Sequence, residues 1–334
     1  ADLKARGSHL PEPLDLHKPH VDDITIACPK CRGEMRRVPD VIDVWFDSGA
    51  MPFAQWHYPF ENKERFEQLF PADFITEGVD QTRGWFYSLH AISTLLLDRV
   101  SYKNCLVMEF IVDKQGRKMS KTRGNAVDPW QVIASDGADA LRWYMLAVSQ
   151  PWLPTRFDTA AVTEVRNRFF DTWKNTLAFY QLYAGIDSVD TAALLSRTVS
   201  QNEFDRWITS RTASVTATVD KAFGEYDLTR AVRTIADFVV NDVSNWYVRL
   251  NRRRFWGSEN NDDKLDAFAT LAKTLLAVSK LAAPAAPFFA DHSYRELMGS
   301  AADDGHHAVS VHLTSFPAMD EAAMRACLSR PRTG

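Results

Sequence analysis

The spacing of apolar residues changes once along this chain, and that change fixes what it can fold into. After PWLPTRFD (151–158), four long stretches repeat apolar side chains at i, i+3 and i+4: 159–184, 202–223, 228–255 and 262–281. Val162, Val165, Phe169, Trp173, Leu177 and Tyr180 form one such stripe. Stripes of that length must bury against one another, so an all-α bundle is expected. Before residue 151 the runs are short and alternate in type. DVIDVWFDSG (40–49) reads as a buried strand running into a loop. Residues 60–78 read as a short helix broken at Pro71, then a strand over 73–76. Residues 80–97 place Trp85, Leu89, Ile92, Leu95 and Leu96 at helical spacing; 105–113 reads as a strand and 136–147 as a helix. Strand, helix, strand, loop, helix is the order of a Rossmann-like α/β half-domain whose loops bind ligands at the strand ends. The expected division is 1–155 α/β, 156–320 helical bundle and 321–334 tail.

With 334 residues, 46% hydrophobic and 25% charged, the chain is long enough for two domains with real cores. Its apolar runs, such as LAAPAAPFFA (281–290), are too short and too broken by proline to span a bilayer. No basic-then-apolar leader is read at the N-terminal end. The net charge of −4 confines any polyanion-binding surface to a local patch. Of four cysteines, Cys28 and Cys31 form CPKC, Cys105 is expected to be a buried strand residue, and Cys327 lies near the tail. That is no disulfide framework, so a reducing cytoplasm is expected. CxxC is half of a tetrahedral zinc site, which His17 or His20 could complete.

DKQGRKMSKTRGN (113–125) sets Lys118 and Lys121 three positions apart, with Gly116 and Gly124 on either side. Two compact ammonium groups on a mobile loop suit a triphosphate, where they would neutralise charge growing on departing pyrophosphate. The spacing is not that of a P-loop, which needs Gly-Lys-Ser/Thr opening a helix. From charge and glycine alone, a solvated basic hairpin tip fits equally well.

KMSKT (118–122) resembles the Lys-Met-Ser-Lys-Ser signature of the class I aminoacyl-tRNA synthetases, with Thr122 keeping the final hydroxyl. DVIDVWFDSG, DFITEGVDQTRGWFYSLHAIS (73–93), GNAVDPWQVIASDGADALRWY (124–144) and WYVRLNRRRFWG (246–257) resemble the isoleucyl branch of that family, in order, along nearly the whole chain. The resemblance implies ATP with Mg²⁺, L-isoleucine and tRNA(Ile) as substrates, a monomer, and no membrane. It gives Lys121 the main phosphate-stabilising role, Lys118 a supporting one, and Ser120 a hydrogen bond to the nucleotide. Glu77, Asp80 and Gln81 would face the amino-acid end of the adenylate, with Trp45 and Trp85 walling the side-chain pocket. Taken alone, Trp85 fits core packing, and Asp43 and Asp47 fit chain capping.

The family's other ATP signature, His-Ile-Gly-His, does not occur in this sequence. Its editing domain and the second cysteine pair of its zinc knuckle lie upstream of the matching region. A fragment is therefore expected, inactive on its own, with Cys28 and Cys31 as a zinc half site. Arg249, Arg252, Arg253 and Arg254, followed by Trp256, fall in the family's anticodon-binding domain and are candidate RNA contacts, with Arg166 and Arg168 extending the patch. A solvated arginine face fits the same residues, and Trp246 reads as core. Two alternatives stay open: a tRNA-binding module without catalysis, and a valyl or leucyl relative.

Overall fold

The computed structural model describes residues 15, 17–40, 43–198, 200–258, 261–299 and 307–325, leaving aside the side chains of 121 and 325. Two compact units are present: Ala1–Ile75 with Asp80–Cys105, and Thr76–Val79 with Leu106–Gly334.

In the first unit, β1 (Thr25–Ala27) and β2 (Glu34–Arg36) form an antiparallel hairpin, with Ile26 opposite Met35. Helices α1 (Val44–Gly49), α2 (Met51–Ala54), α3 (Lys63–Leu69) and α4 (Trp85–Leu97) follow. The strand expected over 40–49 is thus largely a helix. Asp43 supplies the reason: its carboxylate accepts the Trp45 N–H at 3.0 Å and caps the first turn. Tertiary packing then overrides the β preference of Val44, Trp45 and Phe46. Gly49 makes that packing possible. A Cβ there would lie 2.7 Å from the Ser88 carbonyl carbon and 2.8 Å from its oxygen, so α1 rests directly on the backbone of α4. Gly49→Ala is expected to destabilise this unit by about 1–3 kcal/mol, because backbone, unlike a side chain, cannot swing aside. A urea titration checks it, and an unchanged midpoint would refute the close approach.

A small aromatic core of Phe53, Phe66 and Phe70 sits beneath α2 and α3, with Phe66 stacked on Tyr58 at 4.1 Å. On α4, Leu89 and Ile92 are buried as expected, but Leu95 and Leu96 are 85% and 64% exposed. They share the helical spacing without sharing the buried face.

The second unit carries β3 (Ile75–Gly78) from Thr76 onward, paired with β4 (Cys105–Met108), which belongs to it from Leu106 onward, and β5 (Ile111–Val112) parallel to β6 (Thr155–Arg156). The run 105–113 is therefore two short strands. Cys105 is on a strand, yet its side chain is exposed rather than buried. Helices α5 (Pro129–Asp136) and α6 (Ala138–Ala147) lead into the bundle. The stripe from 159 is one continuous helical run: α7 (Thr159–Val165), a π-helical segment Arg166–Phe170, and α8 (Asp171–Ile186). After the single turn of α9 (Thr191–Leu194) comes α10 (Glu203–Gly224), capped by Asn202. A second run joins α11 (Leu228–Asp237), a π-helical segment Phe238–Val248, and α12 (Arg249–Trp256). The structure ends with α13 (Asp262–Ala282), α14 (Pro287–Met298) and α15 (Glu321–Arg325).

Trp143, Trp173, Trp207, Tyr180, Tyr247 and Phe268 are each under 2% exposed and form the centre of the bundle core. Arg233 of α11 ties α6 to it, donating to the Ala147 and Val148 carbonyls at 2.7 and 3.0 Å, where a helix end favours a cation. Among the described residues no helix is long and apolar enough to cross a membrane.

Candidate functional site

The lysine loop leaves β5 through a tight turn. The Gly116 N–H donates to the Asp113 carbonyl at 2.8 Å, and the Asp113 N–H to the Arg117 carbonyl at 2.9 Å. Gly116 has φ +79°, a conformation that side chains with a Cβ resist. The turn brings Lys118 back antiparallel to Val112. Its ammonium lies 5.1 Å from the centroid of the Phe110 ring, over a cation-attracting face. Met119 packs on the bundle core, Lys121–Arg123 forms a 3₁₀ turn, and Gly124 follows with φ +67°. The Lys121 side chain lies outside the described residues.

Two residues not singled out in the sequence organise this loop. Asp113 is 6% exposed and accepts four hydrogen bonds. Its Oδ1 takes the Gln115 and Arg117 N–H groups at 3.0 and 2.8 Å. Its Oδ2 takes Arg117 Nε at 2.8 Å and Asn125 Nδ2 at 2.9 Å. The Asn125 bond, then those from Arg117, hold the carboxyl at a pKa of about 2, against the cost of burial. Asn125 Oδ1 in turn accepts the Ser120 N–H at 2.9 Å. Of the other cations here, Lys114 is paired with Asp158 at 2.6 Å and Arg117 with Asp113. Lys118 faces a ring rather than a carboxylate, so its three donors suit an incoming anion.

Of the residues expected at the amino-acid end, Trp45, Asp80, Gln81 and Trp85 lie close together in the first unit. Gln81 Oε1 accepts the Trp85 N–H at 2.9 Å, which caps the start of α4. That commits the amide oxygen and leaves Nε2 as the donor side, 3.5 Å from Asp80 Oδ2. Trp85 Nε1 donates to the Ser48 carbonyl at 3.1 Å. A Cβ on Gly84 would meet Gln81 Oε1 at 2.6 Å and the Trp45 ring edge at 3.2–3.3 Å. Gln81 and Trp45 therefore close on Gly84, which directly precedes Trp85, while Asp80 reaches the group only through the Gln81 amide. Trp45 is 45% exposed and Trp85 half-buried, so Trp85 both packs and lines the surface. Glu77 is exposed on β3 of the second unit.

Cys28 and Cys31 occupy the tip of the β1–β2 hairpin. The Cys28 N–H donates to the Gly33 carbonyl and the Arg32 N–H to the Cys28 carbonyl, both at 2.8 Å. N–H donation from Cys31 and Lys30 to the Cys28 sulfur lowers its pKa, favouring the thiolate a metal needs. The donor chemistry thus fits half of a zinc site. Among the described residues no group of three or more His, Cys, Asp or Glu gathers to complete one, His17 and His20 included. Cys327 lies outside the described residues.

The arginine cluster divides. Arg249, Arg252 and Arg253 are exposed on α12, and Trp256 is 53% exposed at its end. Arg254 turns inward: its side chain is 13% exposed and grips Asp205 with two bonds of 2.7 and 2.8 Å and Asp263 at 2.8–2.9 Å. Burial works against its charge, but the two carboxylates raise its pKa above the usual guanidinium value. Its role is a strut, and no sequence pattern marks its partner 49 positions away. Trp246 sits edge-on to Trp207 at 6.4 Å, in keeping with a core position. Arg166 is paired with Asp136 at 3.1 Å, while Arg168 is exposed.

Residues 11–154 match the family described as tRNA synthetases class I (I, L, M and V), and 205–330 match the anticodon-binding domain of tRNA ligase. The chain belongs to the class I tRNA synthetases. Within that class it is similar to isoleucine–tRNA ligases: 48% identical over 327 residues to that of Clostridium acetobutylicum, and 51% over 310 residues to that of Bacteroides fragilis. These alignments cover 98% and 92% of this chain but only 31% and 27% of the relatives, so it spans about a third of their length. Solved structures agree on the fold. The Agrobacterium radiobacter K84 agnB2 LeuRS, in a ternary complex with tRNA and LeuAMS, gives a TM-score of 0.66 at 20% identity, over 90% of this chain and 36% of that one. Mycobacterium tuberculosis methionyl-tRNA synthetase with methionyl-adenylate gives 0.59 at 17% identity, over 80% and 51%.

Proposed function

We propose that this chain is the part of an isoleucine–tRNA ligase that carries the lysine loop, one wall of the amino-acid site and the anticodon-binding bundle. The observation that carries this reading is identity of 48% to isoleucine–tRNA ligase along 98% of the chain, through loop and bundle alike. In the proposed reaction the isoleucine carboxylate attacks the α-phosphorus of ATP, and the bond to the pyrophosphate oxygen breaks. Lys118 and Lys121 neutralise the charge that grows on the leaving pyrophosphate, with Mg²⁺ accompanying the nucleotide. A hydroxyl of the terminal tRNA ribose then attacks the carbonyl carbon of the adenylate, and AMP departs. Glu77 and Asp80 offer carboxylates for the substrate ammonium, Gln81 offers Nε2 to a substrate oxygen, and Trp45 and Trp85 offer apolar walls. Ser120 lies between the two lysines and can meet the nucleotide. Zinc, where present, would be held by Cys28 and Cys31 with ligands from elsewhere in the full-length protein.

The test is amino-acid-dependent ATP–pyrophosphate exchange by the full-length protein with isoleucine, valine and leucine. Isoleucine should give the highest kcat/KM; preference for another of the three would reject the assignment.

The RNA part of the proposal rests on Arg249, Arg252, Arg253 and Trp256. Arg252→Glu with Arg253→Glu should weaken tRNA binding at least about tenfold and lower the slope of log K against log salt by about 2, one for each phosphate no longer neutralised. Filter binding across a salt series reads both. Unchanged affinity would make this face mere solvation.

A further inference from the structure

We propose that Asp113 and Asn125 are positioning residues that clamp the neck of the lysine loop and set the placement of Lys118, Ser120 and Lys121 against phosphate. This inference rests on the phosphate-binding reading of the loop and adds to it the device that presets its shape.

The hydrogen bonds of the pair fix its orientation. Ser120 N–H can only donate, so the Asn125 atom 2.9 Å from it must be the amide oxygen. That orientation sends both Asn125 hydrogens elsewhere: one to Asp113 Oδ2 at 2.9 Å, the other to the Lys118 carbonyl at 3.3 Å. Asp113 binds the incoming arm through Gln115 and Arg117, and Asn125 binds the outgoing arm. The two arms are thus joined across 12 positions by one side-chain bond. Lys118 and Ser120 are each held by their own backbone, which leaves the Lys118 ammonium and the Ser120 hydroxyl available to a ligand.

The partners of this clamp are loop groups. Residues 114–118 and 122–124 are exposed, and among the described side chains of 114–124 the core contact is Met119. Loss of the clamp should therefore disorder the loop while sparing the bundle. The charged groups around the carboxylate are Arg117, bonded to it, and Lys114, held by Asp158, with Arg156 against Gly116. Each guanidinium or ammonium favours ionised Asp113, so the clamp is closed at neutral pH.

Asn125→Asp is the discriminating substitution. It preserves size and the acceptor for Ser120, removes both donors, and sets a second carboxylate against Asp113. In the full-length protein, hydrogen exchange at the Ser120 and Arg117 amides should accelerate about tenfold or more, as expected for loss of a hydrogen bond to a charged group. The ratio kcat/KM for ATP in isoleucine-dependent exchange should fall by a similar factor, with KM for isoleucine and the thermal midpoint essentially unchanged. Adding Asp113→Asn restores one donor facing one acceptor and should recover part of both losses. Unchanged amide exchange, or unchanged ATP dependence, overturns the clamp, as does a double variant no better than the single one. Wild-type protein that lacks isoleucine-dependent exchange would sink the synthetase reading instead, and the amide measurement would still decide the clamp.

Discussion

Asp205→Ala is expected to lower the stability of the helical unit by roughly 3–5 kcal/mol, the range for breaking a buried ion pair from one side. Asp205 is fully buried in the first turn of α10. It accepts two bonds from Arg254 and a third from the Tyr247 hydroxyl at 2.6 Å. Tyr247 is itself fully buried, and burial, reinforced by the Asp205 charge, pushes its pKa well above the ordinary phenol value, so its proton stays on. Removing the carboxylate takes the main partner from a guanidinium that is only 13% exposed, and leaves the buried Tyr247 hydroxyl with a long 3.4 Å bond to the Ala267 carbonyl. Asp263 still holds one edge of Arg254, but its own side chain is 54% exposed and cannot replace a buried partner. Tyr247→Phe should cost less, about 1–2 kcal/mol, because the ion pair survives. Asp205→Leu combined with Arg254→Met should recover most of the loss, since no buried charge is then left alone. Urea unfolding followed by far-ultraviolet circular dichroism compares the four proteins. A loss below about 1 kcal/mol for Asp205→Ala would mean the pair is not buried as described.

The same network shows where sequence reasoning stops. Helical periods of the bundle are legible because they depend on neighbours three and four positions away: Val162, Phe169, Trp173, Leu177 and Tyr180 are all buried. Arg254 shares its tetrad with Arg252 and Arg253, and only the fold separates strut from surface. Helix α1 is misread for a related reason, since Gly49 acquires its meaning from the backbone of Ser88. Helix α14 begins in the run AAPAAPFF, and its entry is capped by Asp139, whose carboxylate accepts the Phe289 N–H at 2.6 Å from 150 positions away. In the lysine loop the cations and glycines are visible as residue types. Asp113 and Asn125 look like ordinary turn residues until the fold closes the distance between them.

Lys118→Ala and Lys121→Ala are each expected to slow isoleucine-dependent pyrophosphate exchange by the full-length protein about a hundred- to a thousand-fold, the usual effect of losing one donor at developing charge. The loss should fall on kcat more than on KM for ATP. Ground-state ATP already carries its charge when bound, whereas the extra charge on the leaving pyrophosphate appears only as the bond to the α-phosphorus breaks. KM for isoleucine should hold steady, since Trp45, Gln81 and Trp85 are untouched. The two effects should not simply multiply in the double variant, because both ammonium groups serve one leaving group from one loop. Lys118→Arg is the informative control. It keeps the charge and the contact with the Phe110 ring but replaces a compact ammonium by a wide planar fork. Partial activity there, with little in the alanine variant, would mark the requirement as charge at a set position. Full turnover by the double alanine variant would remove phosphate stabilisation from this loop and return it to a solvated hairpin tip.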